Sequence, residues 1–297
     1  MLGYFVKTMK HLYLWLPIRS IAFALVFICC AGMLGQDLDN IGCWWSVIAV
    51  ILNILTIVLL VYLAKRNGQT FWQLINYQKG QTTWQQIIGI TLLVLVLGMA
   101  GMYLVGFLCY DNFLYAPPVM IAPIPKVLAI INIILLPITT TFAEDGLYLG
   151  CGVNQMKNKY AAIIIPAFFY ALQHCFIPTL LDGRYIVYRF LSFLPLTLIL
   201  CWYYYRKRNP LPIMVGHALI DLTTAAQIVA TSFIPGLYQT MCGSKPLNET
   251  SKPTYLRLSS STFLLRNPTS TLSMVPELCF DPLMTLTNFV PTTLQCS

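Results

Sequence analysis

Residues 130–145, IINIILLPITTTFAED, carry a long apolar run into two adjacent carboxylates, Glu144 and Asp145. An ionisable group inside such a run costs several kcal/mol and turns toward the protein interior. Two later stretches repeat the pattern. AAIIIPAFFYALQH (161–174) closes on His174, and GHALIDLTTAAQIVA (216–230) opens with His217 and carries Asp221 four residues on. Ionisable residues in apolar segments are functional-site candidates by default. Glu144, Asp145, His174, His217 and Asp221 are therefore the candidate set.

The rest of the chain supplies the setting. Of 297 residues, 58% are hydrophobic and only 9% charged, against about 25% charged in a soluble domain. Several stretches approach or pass the roughly 20 apolar residues that cross a bilayer. The expected fold class is all-α, a polytopic transmembrane bundle of about seven to eight spans. The spans read as 14–34, 44–64, 86–108, 125–155, 160–176, 187–204 and 211–234. The basic N-terminal flank, Lys7, Lys10 and His11, precedes a first helix read as retained rather than cleaved.

The net charge of +8 is spread over short loops. That is a pattern of membrane orientation and anionic-lipid contact, and it argues against a nucleic-acid partner. Lys7, Lys10 and Arg19 flank span one. Lys65, Arg66 and Lys79 follow span two, Lys157 and Lys159 span four, and Arg206 to Arg208 span six. With alternating spans these groups share one side, which places the N-terminus in the cytoplasm. Seven spans then put the C-terminus outside. A bacterial inner membrane or an endomembrane is the expected location.

Other features read as structural. The ten cysteines form no CxxC or Cys/His cluster of the structural-zinc kind. Segment 67–85 is amphipathic, and Phe71, Trp72, Leu74 and Ile75 suit either the membrane interface or an aromatic-belt linker. Trp44, Trp45, Trp84 and Trp202 sit near span ends as headgroup anchors. Beyond about 238, Ser, Thr and Pro accumulate without apolar period, which reads as flexible or disordered tail. Asn248-Glu249-Thr250 matches the glycosylation tripeptide. No Gly-rich phosphate loop, HExxH or GxSxG occurs.

Helix arithmetic brings part of the set together. Glu144 and His174 each lie about 21–24 Å from the turn at Lys157 and Lys159. An antiparallel pair would place them at matching depth. His217 lies only about 13 Å beyond Arg208, a gap that closes if span seven starts deeper or span four bends at Pro137. Asp221 shares the face of His217 and is placed to orient it. Structural readings stand beside these. The carboxylates would mark the end of a shorter span, His174 would be a packing histidine, and His217 with Asp221 would tie the bundle together.

The three motifs resemble those of the CPBP family of intramembrane proteases, which includes CAAX prenyl endopeptidases and bacterial Abi-type, bacteriocin-processing relatives. The family's EExxxR reads Glu144-Asp145-Gly146-Leu147-Tyr148-Leu149 here, FxxxH reads Tyr170 to His174, and HxxxN reads His217 to Asp221 after NPLPIMVG. Leu149 stands where the family has arginine, leaving the carboxylate pair without its usual cation. Tyr170 for Phe is a mild change, and Asp221 for Asn adds charge. By this resemblance 1–124 are variable spans, 125–237 the catalytic membrane core and 238–297 the tail.

The resemblance implies an endopeptidase acting on a prenylated CaaX-type or small membrane-associated peptide. Glu144 would be the general base, beside a second carboxylate that resists being ionised together with it. His174 would hold the water or leaving group, and His217 with Asp221 would stabilise the oxyanion or orient the water. A metal-independent mechanism is expected. Zinc on Glu144, His174 and His217 is the variant. The alternative class is an inactive peptide-binding, scaffold or bacteriocin-immunity protein. A transporter is disfavoured by the lack of paired broken helices. The expected partners are a peptide or lipidated peptide and membrane lipids.

Overall fold

The computed structural model describes residues 12–112 and 115–242. A 3-10 turn, Leu12–Trp15, leads into α1 (Ile18–Leu34), which ends on left-handed Gly35. Then come α2 (Leu38–Gly42), α3 (Trp45–Arg66), α4 (Phe71–Leu74) and α5 (Trp84–Tyr110). Thr70 and Thr83 start α4 and α5 with reciprocal capping boxes. Next is α6 (Lys126–Asp145), extended by a π-wound segment, Gly146–Gly152, and a 3-10 turn, Val153–Gln155. α7 (Lys159–His174), α8 (Gly183–Lys207), α9 (Leu211–Phe233) and α10 (Leu237–Met241) complete the described chain.

The chain is an all-α, multi-spanning integral membrane protein. Among the described residues six helices are long and apolar enough to cross a membrane: Leu12–Leu34, Trp45–Arg66, Trp84–Tyr110, Lys126–Gln155, Gly183–Lys207 and Leu211–Phe233. The expectation of seven or more spans counted α7. With 16 residues it rises about 24 Å, short of a hydrocarbon core of about 30 Å. Leu25, Leu55, Val58, Leu92, Val96 and Ile134 are exposed on helix surfaces, as lipid-facing positions must be.

α6 is central. It packs against α3 and α9, while α8 packs against α7 and α5, and α5 against α9. Its inward stripe Asn132, Leu136, Thr140 and Glu144 follows the four-residue step of a helix and is buried. Pro137 sits within α6 without ending it. Thr139 and Thr141 turn their hydroxyls onto the carbonyls of Leu135 and Pro137, at 2.6 and 3.0 Å. That is how a polar side chain is satisfied inside a lipid-embedded helix.

The π segment is glycine-rich because its neighbours come close. A Cβ on Gly146 would stand 2.8 Å from Leu60 Cδ1 and 3.0 Å from the Phe71 ring. On Gly150 it would meet Leu74 and Ile75 at 3.2–3.3 Å. This corrects the reading of 67–85 as an interfacial or linker segment. Leu74 and Ile75 are each 1% exposed, tucked under the π segment. Asn154 donates to the Leu74 carbonyl, Tyr204 to that of Ile75, and Asn76 to that of Arg208. Only Trp72 of the four is exposed.

These bonds gather the chain around 74–76, 154 and 208 at one end of the bundle, the end with the basic loops. Arg19 does not belong with those loop charges, since it is 2% exposed. Lys7, Lys10, His11, Asn248, Glu249, Thr250 and most of the expected tail lie outside the described residues.

Candidate active site

The five expected side chains come from three helices. Glu144 and Asp145 end the regular part of α6, His174 ends α7, and His217 and Asp221 lie on the first half of α9. The structure brings them together. Glu144 Oε2 is 3.9 Å from His174 Nε2 and 3.8 Å from His217 Nε2. Asp145 Oδ2 is 3.5 Å from His217 Nδ1, and Asp221 Oδ2 is 3.7 Å from His217 Nε2. Glu144 and Asp145 are 2% and 1% exposed.

The depth of His217, which the helix arithmetic left about a turn or two short, is reconciled at both ends. α9 starts below the surface, since Asn209 is 5% exposed and bonds Thr82. The π winding between Glu144 and the next turn also adds residues per turn over the α-helical count.

Tyr170 sets both imidazoles. Its backbone carbonyl lies 2.8 Å from His174 Nδ1, and a carbonyl only accepts, so His174 carries its proton there and leaves Nε2 free. Its hydroxyl donates to Asp145 Oδ1 at 2.9 Å and lies 3.0 Å from His217 Nδ1. With the phenolic proton on the aspartate, His217 Nδ1 is the donor of that second bond. Both Nε2 atoms thus face Glu144 Oε2, a buried oxygen without a hydrogen-bond partner. Tyr170 for Phe is therefore not a mild change, because the added hydroxyl is the shared partner of Asp145 and His217. Asp145, rather than Asp221, is the carboxylate on the Nδ1 side of His217.

The missing cation is also found. Leu149 is fully buried in an apolar cluster with Ile90, Val94 and Val153. Arg19, from α1, instead supplies the charge beside Glu144. Its Nη2 lies 2.9 Å from Glu144 Oε1. The same guanidinium donates from Nε to Gln173 at 2.6 Å, from Nη1 to Thr56 at 3.1 Å and from Nη2 to Asn53 at 2.8 Å. Tyr148 also donates to Gln173, at 3.1 Å, and stacks on Tyr170 at 4.5 Å. Sequence reasoning counted Arg19 as a loop charge. The sign missed was the one that picked out Glu144, an ionisable residue inside an apolar run, here IRSIAFALVF (18–27).

The site opens on a cavity of about 150 Å³. Glu144, His174, His217 and Asp221 line its polar end, and Met102, Met120 and Ile121 its apolar part. Trp45 lines it too and is no headgroup anchor, being 6% exposed with its indole donating to the Met120 carbonyl at 3.2 Å. Trp84 and Trp202 are exposed near helix ends, as expected of anchors.

Two imidazoles and a carboxylate are chemically suited to zinc. Among the described residues, however, no group of three or more His, Cys, Asp or Glu is arranged to hold a metal ion.

A family model described as Type II CAAX prenyl endopeptidase Rce1-like matches residues 126–223, less than half of the chain. The matched stretch contains all five candidate residues and Tyr170, and excludes Arg19. No curated protein and no solved structure matches the chain.

Proposed function

We propose that this protein is an intramembrane endopeptidase that hydrolyses a peptide bond with a glutamate-activated water, acting on a prenylated CaaX-type or small membrane-associated peptide. The observation that carries the reading is the convergence of His174 Nε2 and His217 Nε2 on the unpartnered Glu144 Oε2, at 3.8–3.9 Å. Those separations are too long for direct hydrogen bonds, which leaves Oε2 uncommitted to a protein donor. The family match over 126–223 points the same way.

In the proposed reaction Glu144 Oε2 takes a proton from that water as its oxygen bonds to the substrate carbonyl carbon. The carbonyl π electrons move onto oxygen. His217, faced by carboxylate oxygens of Glu144, Asp145 and Asp221 at 3.5–3.8 Å, is placed to keep a second proton and donate to this oxyanion. His174 holds the water and then the leaving amine. Collapse breaks the C–N bond, and the proton on Glu144 passes to the amine. Arg19 fixes the other oxygen of Glu144 and so aims Oε2 at the water. The proposed orientation keeps the basic loop end in the cytoplasm.

The test is peptide cleavage by purified protein in detergent, with a farnesylated CaaX peptide and leader-type peptides, beside Glu144→Gln and with a chelator. The expected result is cleavage that survives the chelator and falls roughly 10²- to 10⁴-fold in Glu144→Gln, with peptide binding retained. Loss with chelator and rescue by zinc would assign the water to a metal on Glu144, His174 and His217. Binding without cleavage by stable wild-type protein would make the chain a peptide-binding or immunity protein.

A further inference from the structure

Two arginines are buried among the described residues, Arg19 at 2% and Arg189 at 3% exposure. Arg19 has a counter-ion in Glu144. Arg189, on α8, has none, because no carboxylate among the described residues lies within 4.0 Å of it. Its Nε donates to the His174 carbonyl at 3.1 Å and its Nη2 to the Ile177 carbonyl at 3.2 Å. Two neutral carbonyls orient a guanidinium but do not neutralise it, and a buried charge without a partner is strongly disfavoured. Nη1 takes part in neither bond, and Arg189 lines the same cavity as Glu144.

We infer that Arg189 is an anion subsite that receives the free C-terminal carboxylate of the peptide substrate. The inference rests on the protease reading above. A guanidinium is a planar fork of donors matched to a carboxylate. This one is pre-set by its two carbonyl bonds and by the Phe193 ring, which lies 4.8 Å from its Cζ. The same Phe193 ring stacks at 3.8 Å on His174, whose Nε2 faces Glu144. Anion subsite and reacting water are therefore separated by one aromatic ring and one imidazole. An extended chain advances about 3.3–3.6 Å per residue, so the cut falls within about four residues of the chain end. In the same cavity Trp45, Met120 and Ile177 offer an apolar wall to the side chains of the released piece. Such a site selects short C-terminal fragments and discriminates against internal cleavage of a long leader.

The substrate itself provides the test. A farnesylated CaaX-type peptide is offered to the detergent-solubilised full chain as the free acid and as the C-terminal amide, using wild type, Arg189→Lys and Arg189→Gln. The expected result is a kcat/KM for the acid roughly 10- to 100-fold above the amide in wild type, carried mainly by KM. The preference should shrink in Arg189→Lys and vanish in Arg189→Gln. Equal cleavage of acid and amide by wild type overturns the inference while leaving the protease reading intact, as does a preference that Arg189→Gln retains. Cleavage of neither peptide by folded wild type removes the CaaX-type substrate and this inference together, and the leader-type peptides then decide the protease reading. If Arg189→Gln does not fold, the ratio in wild type and Arg189→Lys decides. Phosphatidic acid added to the micelles separates the other source of an anion. Inhibition that depends on Arg189 and is the same for acid and amide would place a lipid phosphate at the subsite and overturn the peptide assignment.

Discussion

The stretch matched by the family model and the stretch before it contribute differently to one site. Residues 126–223 hold Glu144, Asp145, Tyr170, His174, His217 and Asp221. The preceding helices α1 and α3 hold Arg19, Asn53 and Thr56, whose side chains form the network around Glu144 Oε1. The groups proposed to react lie in one region, and the charge that aims the base lies in the other. A cation absent from its expected place at Leu149 has been supplied from a different helix. A motif substitution therefore cannot be judged by its own position, only by what fills the space beside its partner.

The comparison breaks most sharply at Glu144. Glu144→Gln should lower turnover roughly 10²- to 10⁴-fold. It also leaves the Arg19 guanidinium buried without its counter-ion, so the variant should be less stable than wild type. Arg19→Met produces the mirror defect, an uncompensated buried carboxylate, at a cost of about 3–5 kcal/mol. Turnover should fall with it, because Oε2 loses its aim. The pairing predicts a pattern in thermal unfolding of the detergent-solubilised protein. The Arg19→Met, Glu144→Gln double variant should recover much of the stability that either single variant loses, yet none of the turnover. If the two losses simply add, the ion pair does not couple the regions and Arg19 is only a packing residue.

Tyr170→Phe comes next, and it stays inside the matched region. The ring should keep its stack on Tyr148, so the stability loss should be about 1–3 kcal/mol, that of one donor removed from a buried carboxylate. Loss of the hydroxyl frees Asp145 Oδ1 and His217 Nδ1 from their common partner. The turnover loss should be roughly 10- to 100-fold, the size seen when the partner that orients a metal-bound imidazole is removed. The loss should fall on kcat with little change in KM, measured on the acid form of the CaaX peptide. A change confined to KM would place the hydroxyl in substrate contact instead.

Much of this arrangement was legible in the sequence. All seven expected spans correspond to helices, because apolar runs bounded by basic loops leave few other structures in a membrane. The meeting of Glu144 with His174 followed from equal distances to one turn. What was not legible depended on register and on distant partners. The π winding of GLYLGCG changes which residues share a face, and apolar periodicity does not distinguish it from α-helix. The buried seat of Leu74 and Ile75 follows from the glycines opposite them, more than seventy positions away in sequence. Arg19 and Arg189 carried the signal of charge inside an apolar run, but were hidden by the habit of assigning Lys and Arg to loops. Tyr170 could not be read, since a hydroxyl gains meaning only once Asp145 and His217 are seen on either side of it.

The smallest effect should come from the single hydrogen bonds that support Arg19. Thr56→Val keeps the side-chain shape and removes one acceptor, 3.1 Å from Nη1. Arg19 retains Gln173, Asn53 and Glu144. The Thr56 hydroxyl also closes back on the Leu52 carbonyl at 2.7 Å, a bond whose loss costs little, because that carbonyl belongs to a helix. Single interhelical hydrogen bonds inside membrane proteins average about 0.6 kcal/mol. Thr56→Val should therefore lose about that much stability and less than about threefold in turnover. Set beside Arg19→Met, this small effect would show that the charge aims the base and that its neutral partners share the load among themselves. A Thr56→Val loss as large as that of Arg19→Met would mean that the network acts as one unit, with no spare bond to hold the guanidinium when any member is removed.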